Sequence, residues 1–336
     1  MKSTAQLFYE TPKATIYKGH VVDCLKILPD KSVHMVVTSP PYWGLRSYLP
    51  ANHPLKHLEL GAEKTPEQYV KNLCDVFDEV WRVLRDDGTL WLNLGDSWIG
   101  GGRAGEDGKS YGSGLDGNRM DSGNVWGKPT GKIPGYKKKD LAGIPWQVAF
   151  ELRKRGWYLR QDIIWHKPNP MPSSVTDRCT SSHEYLFLLS KKPMYFFDNE
   201  AIREPIKASS GVNMRAPKNG SHRLTDGYSK VTSVKEYSRI NGANRRSVWS
   251  INTVAYTRKH FATFSPELAL RCVLAGSPVG GTVLDPFGGS GTTAQVATEK
   301  GRRAITIDLD SKSCLFTLER LGLYTKYKMS QMRKGK

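Results

Sequence analysis

Apolar residues in this chain gather into short runs that end abruptly at polar, proline or glycine residues. Val33 to Val37 is the plainest, a β-branched run with the length of a buried parallel strand. It runs into Thr38-Ser39-Pro40-Pro41-Tyr42-Trp43 and stops there, because neither proline donates to a ladder and both fix φ. Thr15-Ile16-Tyr17, Thr89 to Leu94, Tyr158 to Trp165, Thr282-Val283-Leu284 and Arg303 to Ile307 read as further short strands. Glu184 to Leu189 and Met194 to Phe197 read as a hairpin turning at Lys191-Lys192-Pro193.

Between the strands the period changes. Thr65-Pro66-Glu67-Gln68 is a helix start, with Thr65 as N-cap, Pro66 at N1 and Gln68 at N3. Val70, Leu73, Phe77, Val80 and Leu84 follow at helical spacing, and Asp87-Gly88 ends the element. Leu141 to Arg155, Pro266 to Leu274 and the stretch from Thr292 to Gly301 also read as helices. Strands alternating with helices predict an open α/β sheet. In such a sheet the carboxyl ends of the strands face the ligand. Ser39 to Trp43 therefore stand at the mouth of a crevice, as a rigid tip with a hydroxyl, exposed carbonyls and flat rings. Those groups suit a planar nitrogenous ring that carries an amino group. Asp23 lies just past the Thr15–Tyr17 strand, where it can meet a ligand or serve as the acid of a helix N-terminus. Asp96, at the end of Thr89–Leu94, has a ligand-facing reading by position and a turn-capping one by residue type.

Length and charge narrow the class. The 336 residues allow a large α/β domain with a smaller lobe. Lys and Arg number 50 against 32 Asp and Glu, for a net charge of +18, which points to a polyanionic partner. Half of that excess lies between Ala201 and His260, where twelve Lys or Arg face three Asp or Glu among Ser, Asn, Gly and Tyr. Such side chains suit phosphates, sugars and base edges. Residues 100 to 135 hold twelve of the 32 glycines and almost no aliphatic residues, which predicts a mobile loop or flap beside the strand ends. Five widely spaced cysteines with no CxxC pair argue against a disulfide framework and against a zinc site; no metal is expected. Met1 to Gln6 lacks the apolar core of a signal peptide, and no run approaches the ~20 residues that span a bilayer. A soluble, cytoplasmic protein with no membrane partner is the expectation.

The carboxyl-terminal part carries the second chemical signal. Asp285-Pro286-Phe287-Gly288-Gly289-Ser290-Gly291-Thr292-Thr293 follows a strand and opens a helix, and a second strand ends at Asp308. In this βαβ unit the glycines let the backbone turn tightly and pass close to a ligand, and the acid ending the second strand is placed for a ribose diol. Asp285 ahead of the glycines suits a cationic ligand better than a pyrophosphate. No GK[ST] follows, so a P-loop is excluded. These features favour S-adenosyl-L-methionine over NAD or ATP.

TSPPYW, followed 246 residues after its Ser39 by DPFGGSGTT, resembles the permuted (β-group) amino-methyltransferases that act on DNA, and the resemblance runs through nearly the whole chain. Lys259 to Pro266, with His260, Phe261 and Ser265, resembles the family's cofactor-binding segment. Asp162-Ile163-Ile164-Trp165-His166-Lys167-Pro168 resembles another of its motifs. The resemblance implies a Rossmann-like S-adenosylmethionine-dependent fold with a seven-stranded, mostly parallel sheet and one antiparallel strand. It divides the chain into a catalytic half over 1–199, a target-recognition region over 200–258, a cofactor-binding half over 259–325 and a basic tail over 326–336. Ser39, Pro40, Pro41 and Tyr42 become the catalytic residues. The implied cofactor set is Asp23, Thr38, His260, Phe261, Ser265, Asp285, Pro286, Phe287, Gly289, Gly291, Thr292, Thr293 and Asp308. Trp43, Arg46, Arg215, Arg223, Arg245 and Arg246 are the candidate DNA contacts.

In that family Asp/Asn-Pro-Pro-Tyr usually marks adenine N6 and Ser-Pro-Pro-Tyr more often cytosine N4, so Ser39 favours cytosine N4, with adenine N6 as the alternative. An RNA amino-methyltransferase and a catalytically dead DNA-binding protein are the remaining rivals. The expected mechanism has the two N–H groups of the target amine bonded to the Ser39 hydroxyl oxygen and the Pro40 carbonyl. The nitrogen lone pair is thereby freed for in-line attack on the methyl. The target base leaves the duplex to get there, and Tyr42 stacks on its face with Trp43 as a second wall. None of the cysteines forms the Pro-Cys nucleophile of the C5-cytosine type. Double-stranded DNA is the expected partner, and a homodimer and a companion restriction endonuclease are arrangements that the resemblance also allows.

Overall fold

The computed structural model describes residues 3–45, 47–50, 52–100, 133–205, 242–253 and 264–334. Nine strands among them form one sheet: β1 (Gln6–Glu10), β2 (Ala14–Lys18), β3 (Val33–Thr38), β4 (Leu84–Leu94), β5 (Tyr158–His166), β6 (His183–Ser190), β7 (Val248–Ser250), β8 (Thr282–Asp285) and β9 (Arg303–Asp308). Their order is β1-β2-β9-β8-β3-β4-β6-β5-β7. The central seven, β2 to β5 in that order, match the expected seven-stranded sheet. Within them β6 alone runs antiparallel to its neighbours β4 and β5. Two short edge strands extend it, β1 antiparallel to β2 and β7 parallel to β5.

Seven helices among the described residues flank the sheet: α1 (Val21–Lys26), α2 (Pro66–Val83), α3 (Ile144–Lys154), α4 (Pro266–Gly276), α5 (Thr292–Glu299), α6 (Ser311–Arg320) and α7 (Tyr324–Lys334). The alternation along β3 shows how both faces are covered. Val33 and Val36 join the core with Leu25 of α1, Leu73 and Phe77 of α2 and Val148 of α3. Met35 and Val37 join the opposite core with Leu268 and Val273 of α4 and Val296 of α5. Thus α2, which follows β3, and α5, which follows β8, lie on opposite faces although their strands are neighbours. The chain reverses direction across the sheet between β8 and β3. That is the topological switch point at which open α/β sheets bind ligands.

Several elements differ from the sequence expectation. Thr65 does cap α2, its hydroxyl accepting from the Gln68 N–H at 3.3 Å, but the helix ends at Val83, and Leu84 is already in β4. Val33 pairs with Leu84 and Met35 with Thr89, so Arg85 to Gly88 bulge out of the strand where a helix end was expected. The helix expected from Leu141 starts at Ile144, because the Asp96 carboxylate holds the Gly143 and Ile144 N–H groups at 3.1 Å. Asp96 therefore serves as an anchor of α3 and not as a ligand-facing acid. The Glu184–Phe197 hairpin does not form. Both edges of β6 are taken by β4 and β5, and Phe196 instead donates its N–H to the Asp87 carbonyl at 2.8 Å. Within the stretch expected as the target-recognition region, 200–258, Val248–Ser250 adds β7 to the main sheet. The basic tail belongs largely to α7, whose Tyr327 stacks on Phe8 at 5.1 Å. Most of the glycine-rich stretch over 100–135 lies outside the described residues. No helix among the described residues is long and apolar enough to cross a membrane.

Candidate active site

Parallel pairing of β3 with β8, Val36 opposite Leu284, sets the two sequence motifs side by side at the carboxyl edge of the sheet. The Thr38 hydroxyl donates to Asp285 Oδ1 at 2.6 Å, and the Phe287 N–H reaches the same oxygen at 3.1 Å. The motifs border one cavity of about 640 Å³, lined on one side by Ser39, Pro40, Pro41 and Tyr42 and on the other by Asp285, Pro286, Phe287, Gly288, Gly289, Thr292 and Asp308. Its size falls in the range typical of small-molecule and cofactor sites.

The tip of β8 bends because three glycines permit it. A Cβ on Gly288 would stand 1.7 Å from Thr306 Oγ1, and one on Gly291, which has φ +78, would stand 2.7 Å from Thr317 Oγ1. The loop thus lies flat on β9 and α6. Its backbone is fastened by Asp308: Oδ2 accepts from the Gly289 N–H at 2.9 Å, and Oδ1 accepts from the Asp310 N–H at 2.8 Å. Burial pushes the Asp308 carboxyl up to about 7 against the pull of those N–H groups. Burial also raises Asp285, opposed by the Thr38 hydroxyl and the Phe287 N–H. A buried carboxylate disfavoured in this way gains most from a cationic ligand beside it.

The tip of β3 is built otherwise. Pro40 and Pro41 fix the backbone, and the Tyr69 hydroxyl clamps the Pro41 carbonyl at 2.7 Å. The Tyr42 ring rests on Gly95, where a Cβ would come within 2.6 Å of ring carbon Cε2. Its hydroxyl meets three groups: Ser39 Oγ at 3.2 Å, Asn93 Oδ1 at 3.1 Å and Glu184 Oε2 at 2.7 Å. Lys167 pairs with the other Glu184 oxygen and stands 4.5 Å over the Trp165 ring. Burial and the Glu184 charge raise the Tyr42 pKa well above its ordinary value, so this phenol stays protonated.

Other expected residues fall elsewhere. Thr38, Gly291 and Thr293 are buried beneath the site, Thr38 holding Asp285 from below. Asp23 turns away from the cavity: its Oδ2 accepts from the Thr4 N–H at 2.8 Å and the Thr4 hydroxyl at 2.9 Å, which hold its carboxyl low. It ties the amino-terminal segment down, and His20 faces the cavity in its place. Ser265 is buried at the start of α4; its neighbour Phe264 lines the site. Trp43 is not a wall for a base. It is 2% exposed in the core, with its indole N–H on the Glu63 carbonyl at 2.8 Å. Arg245 is engaged by the Ile202 carbonyl at 2.5 Å and is partly buried, whereas Arg246 is exposed beside Glu204. Arg46, Arg215, Arg223, His260 and Phe261 lie outside the described residues. Asn93, Gly95, Lys167 and Glu184 were not foreseen. Lys167 belongs to a motif already noted, and Asn93 and Gly95 flank the end of a recognised strand, but no local pattern singles out Glu184.

Comparison with known proteins agrees with this geometry. The family model described as DNA methylase, for N6 and N4 methyltransferases, matches residues 33–319. The chain is 43% identical over 306 residues to the type II methyltransferase M.SmaI of Serratia marcescens, covering 91% of this chain and 90% of the relative. It is 39% identical over 308 residues to M.Cfr9I of Citrobacter freundii, covering 92% and 87%. Among solved structures, the cytosine-N4-specific PvuII DNA methyltransferase superposes with a TM-score of 0.62 at 15% identity, over 97% of this chain and 96% of that one. A putative DNA modification methylase of Thermus thermophilus, solved with S-adenosyl-L-methionine, has a TM-score of 0.53 at 24% identity, over 94% of each chain. The paired motifs, the shared cavity and the match across most of the length have one reading: the chain belongs to the N6/N4 amino-methyltransferase family of DNA methylases.

Proposed function

We propose that this DNA methyltransferase transfers the methyl group of S-adenosyl-L-methionine to N4 of cytosine within a specific duplex sequence. The observation that carries the reading is the serine at the tip of β3, set across one cavity from the glycine turn of β8. A Ser-Pro pair offers a hydroxyl oxygen and a carbonyl oxygen, two acceptors for the two N–H groups of an exocyclic amine. Such an amine is a poor nucleophile while its lone pair is delocalised into the ring. Drawing both N–H bonds toward Ser39 and Pro40 turns the nitrogen toward tetrahedral geometry and localises that pair.

The residues present fit the cofactor. Asp285, Phe287, the Gly288–Gly289 turn and Asp308 would hold S-adenosyl-L-methionine, whose sulfonium supplies an electrophilic methyl. Asp285 is a buried carboxylate that favours a positive neighbour, and Asp308 carries an oxygen pair beside the turn, as a ribose diol requires. Pro286, Phe287 and Phe264 give the cavity apolar walls. The Tyr42 ring, backed by Gly95, is placed to stack on a base drawn from the helix. The type II naming of the relatives supports a partner endonuclease with the same target sequence.

Transfer of tritium from labelled S-adenosyl-L-methionine to duplex DNA, followed by hydrolysis to nucleosides, tests the assignment. Label in N4-methylcytosine is expected. Label in N6-methyladenine would overturn the choice of base.

A further inference from the structure

Every proton in the hydrogen-bond chain at the β3 tip can be assigned. The Asn93 amide nitrogen donates to the Tyr185 carbonyl at 3.1 Å, so its oxygen faces Tyr42. Glu184 offers only carboxylate oxygens. Both neighbours are therefore acceptors, and the single Tyr42 proton goes to the nearer, charged one, Glu184 Oε2 at 2.7 Å. Tyr42 is left as an acceptor, and Ser39, 3.2 Å away, must donate to it. The Ser39 proton is then committed, and only its lone pairs face the cavity.

We propose that Glu184 is a positioning residue of methyl transfer: acting through Tyr42, it fixes Ser39 as a pure acceptor and takes the proton that the methylated amine sheds. The proposal rests on the amino-methyltransfer reading above. The step balances. One N–H bond of the cationic product breaks as Ser39 Oγ takes that proton. The Ser39 proton passes to Tyr42, and the Tyr42 proton passes to Glu184 Oε2. A neutral methylamine and a neutral carboxyl remain, and Glu184 returns its proton to solvent. Lys167 pairs with the far oxygen of Glu184 and leaves Oε2 facing Tyr42.

Single-turnover methylation with saturating S-adenosyl-L-methionine tests this with Glu184→Gln, Tyr42→Phe and the double variant. Proton transfer by a placed group is worth ~10²–10⁴-fold. On that scale Glu184→Gln should lose about 100-fold in rate while its Kd for cofactor and for duplex stays within about twofold. Tyr42→Phe should lose a similar factor, and the double variant no more than the worse single, because both break one chain. A rate within about threefold of wild type, or losses that multiply, would each overturn the proposal. Should Glu184→Gln fail to fold, Tyr42→Phe leaves the Glu184–Lys167 pair in place, and an undiminished rate there overturns it alone. The rates are counted on whichever nucleoside the wild type methylates, so an error in the choice of base shows up separately.

Discussion

At the tip of β3 two prolines follow Ser39, and at the tip of β8 two glycines follow Phe287. The first turn presents its groups on a backbone whose φ two prolines fix: a hydroxyl, the Pro40 carbonyl and a phenol whose proton is directed away. The second removes side chains so that backbone and carboxylates can lie close to a ligand. One tip is polarised to accept protons from an amine, and the other is shaped and charged for the methyl donor. Neighbouring strands bring them within one cavity, joined below by the Thr38–Asp285 hydrogen bond. Rigid acceptors and side-chain-free turns are two separable solutions, and substitutions should divide them.

Gly288→Ala should do the most damage. Its Cβ would stand 1.7 Å from Thr306 Oγ1, and overpacking of this kind costs ~1–3 kcal/mol or more. Thermal melting should show that loss, and calorimetric titration should show cofactor binding gone; a wild-type titration would break the comparison. Gly95→Ala strikes the other tip by pressing on the Tyr42 ring. Turnover should fall roughly 10- to 100-fold, as for a small misplacement of a catalytic group, with cofactor affinity unchanged. Loss of both would mean that the tips are not separable.

The effect of pH should be smaller. Asp308 holds its proton up to about pH 7 in the fold but ionises near 3.8 when unfolded. The folded state therefore binds more protons between those values, and ligand-free stability falls as pH rises through that window. A ribose diol donates best to the carboxylate, so cofactor affinity should rise toward and through pH 7, by at most about tenfold per unit. Asp308→Asn should flatten the slope in a Kd series from about pH 5.5 to 8.5; an unchanged slope would move its origin elsewhere. Gly289→Ala should be mildest, since its φ is +50 and its Cβ would meet no atom closer than 4.0 Å. About 1 kcal/mol of stability is at stake there, readable as a small fall in Tm.

Local signals explain what the sequence could reveal. Short β-branched runs marked β3, β8 and β9, the first two closed by proline and the third by Asp308, and Thr65-Pro66 marked the start of α2. Both tips of the cavity were legible because strand, turn and acid fall within a few residues. Glu184 was not, since its meeting with Tyr42 spans 142 positions and depends on β6 running antiparallel beside β4. Trp43 misled because an aromatic after Pro-Pro-Tyr looks ligand-facing; only the fold around it, with the Glu63 carbonyl on its indole N–H, shows that it is core. Asp23 and Asp96 misled in the same way. A carboxylate near a strand end can serve a ligand or a backbone N–H, and both of these serve the backbone. Arg245 likewise counted toward the basic excess while its guanidinium was already engaged by carbonyls.

The division of labour between the tips is tested most directly by Ser39→Ala, with cofactor Kd and single-turnover methylation measured on one preparation. The account predicts a Kd within about twofold of wild type and a rate reduced about 100-fold or more, the scale for removing one preorganised polar contact to the reacting group. A variant that lost cofactor binding and rate together, or kept both, would contradict it.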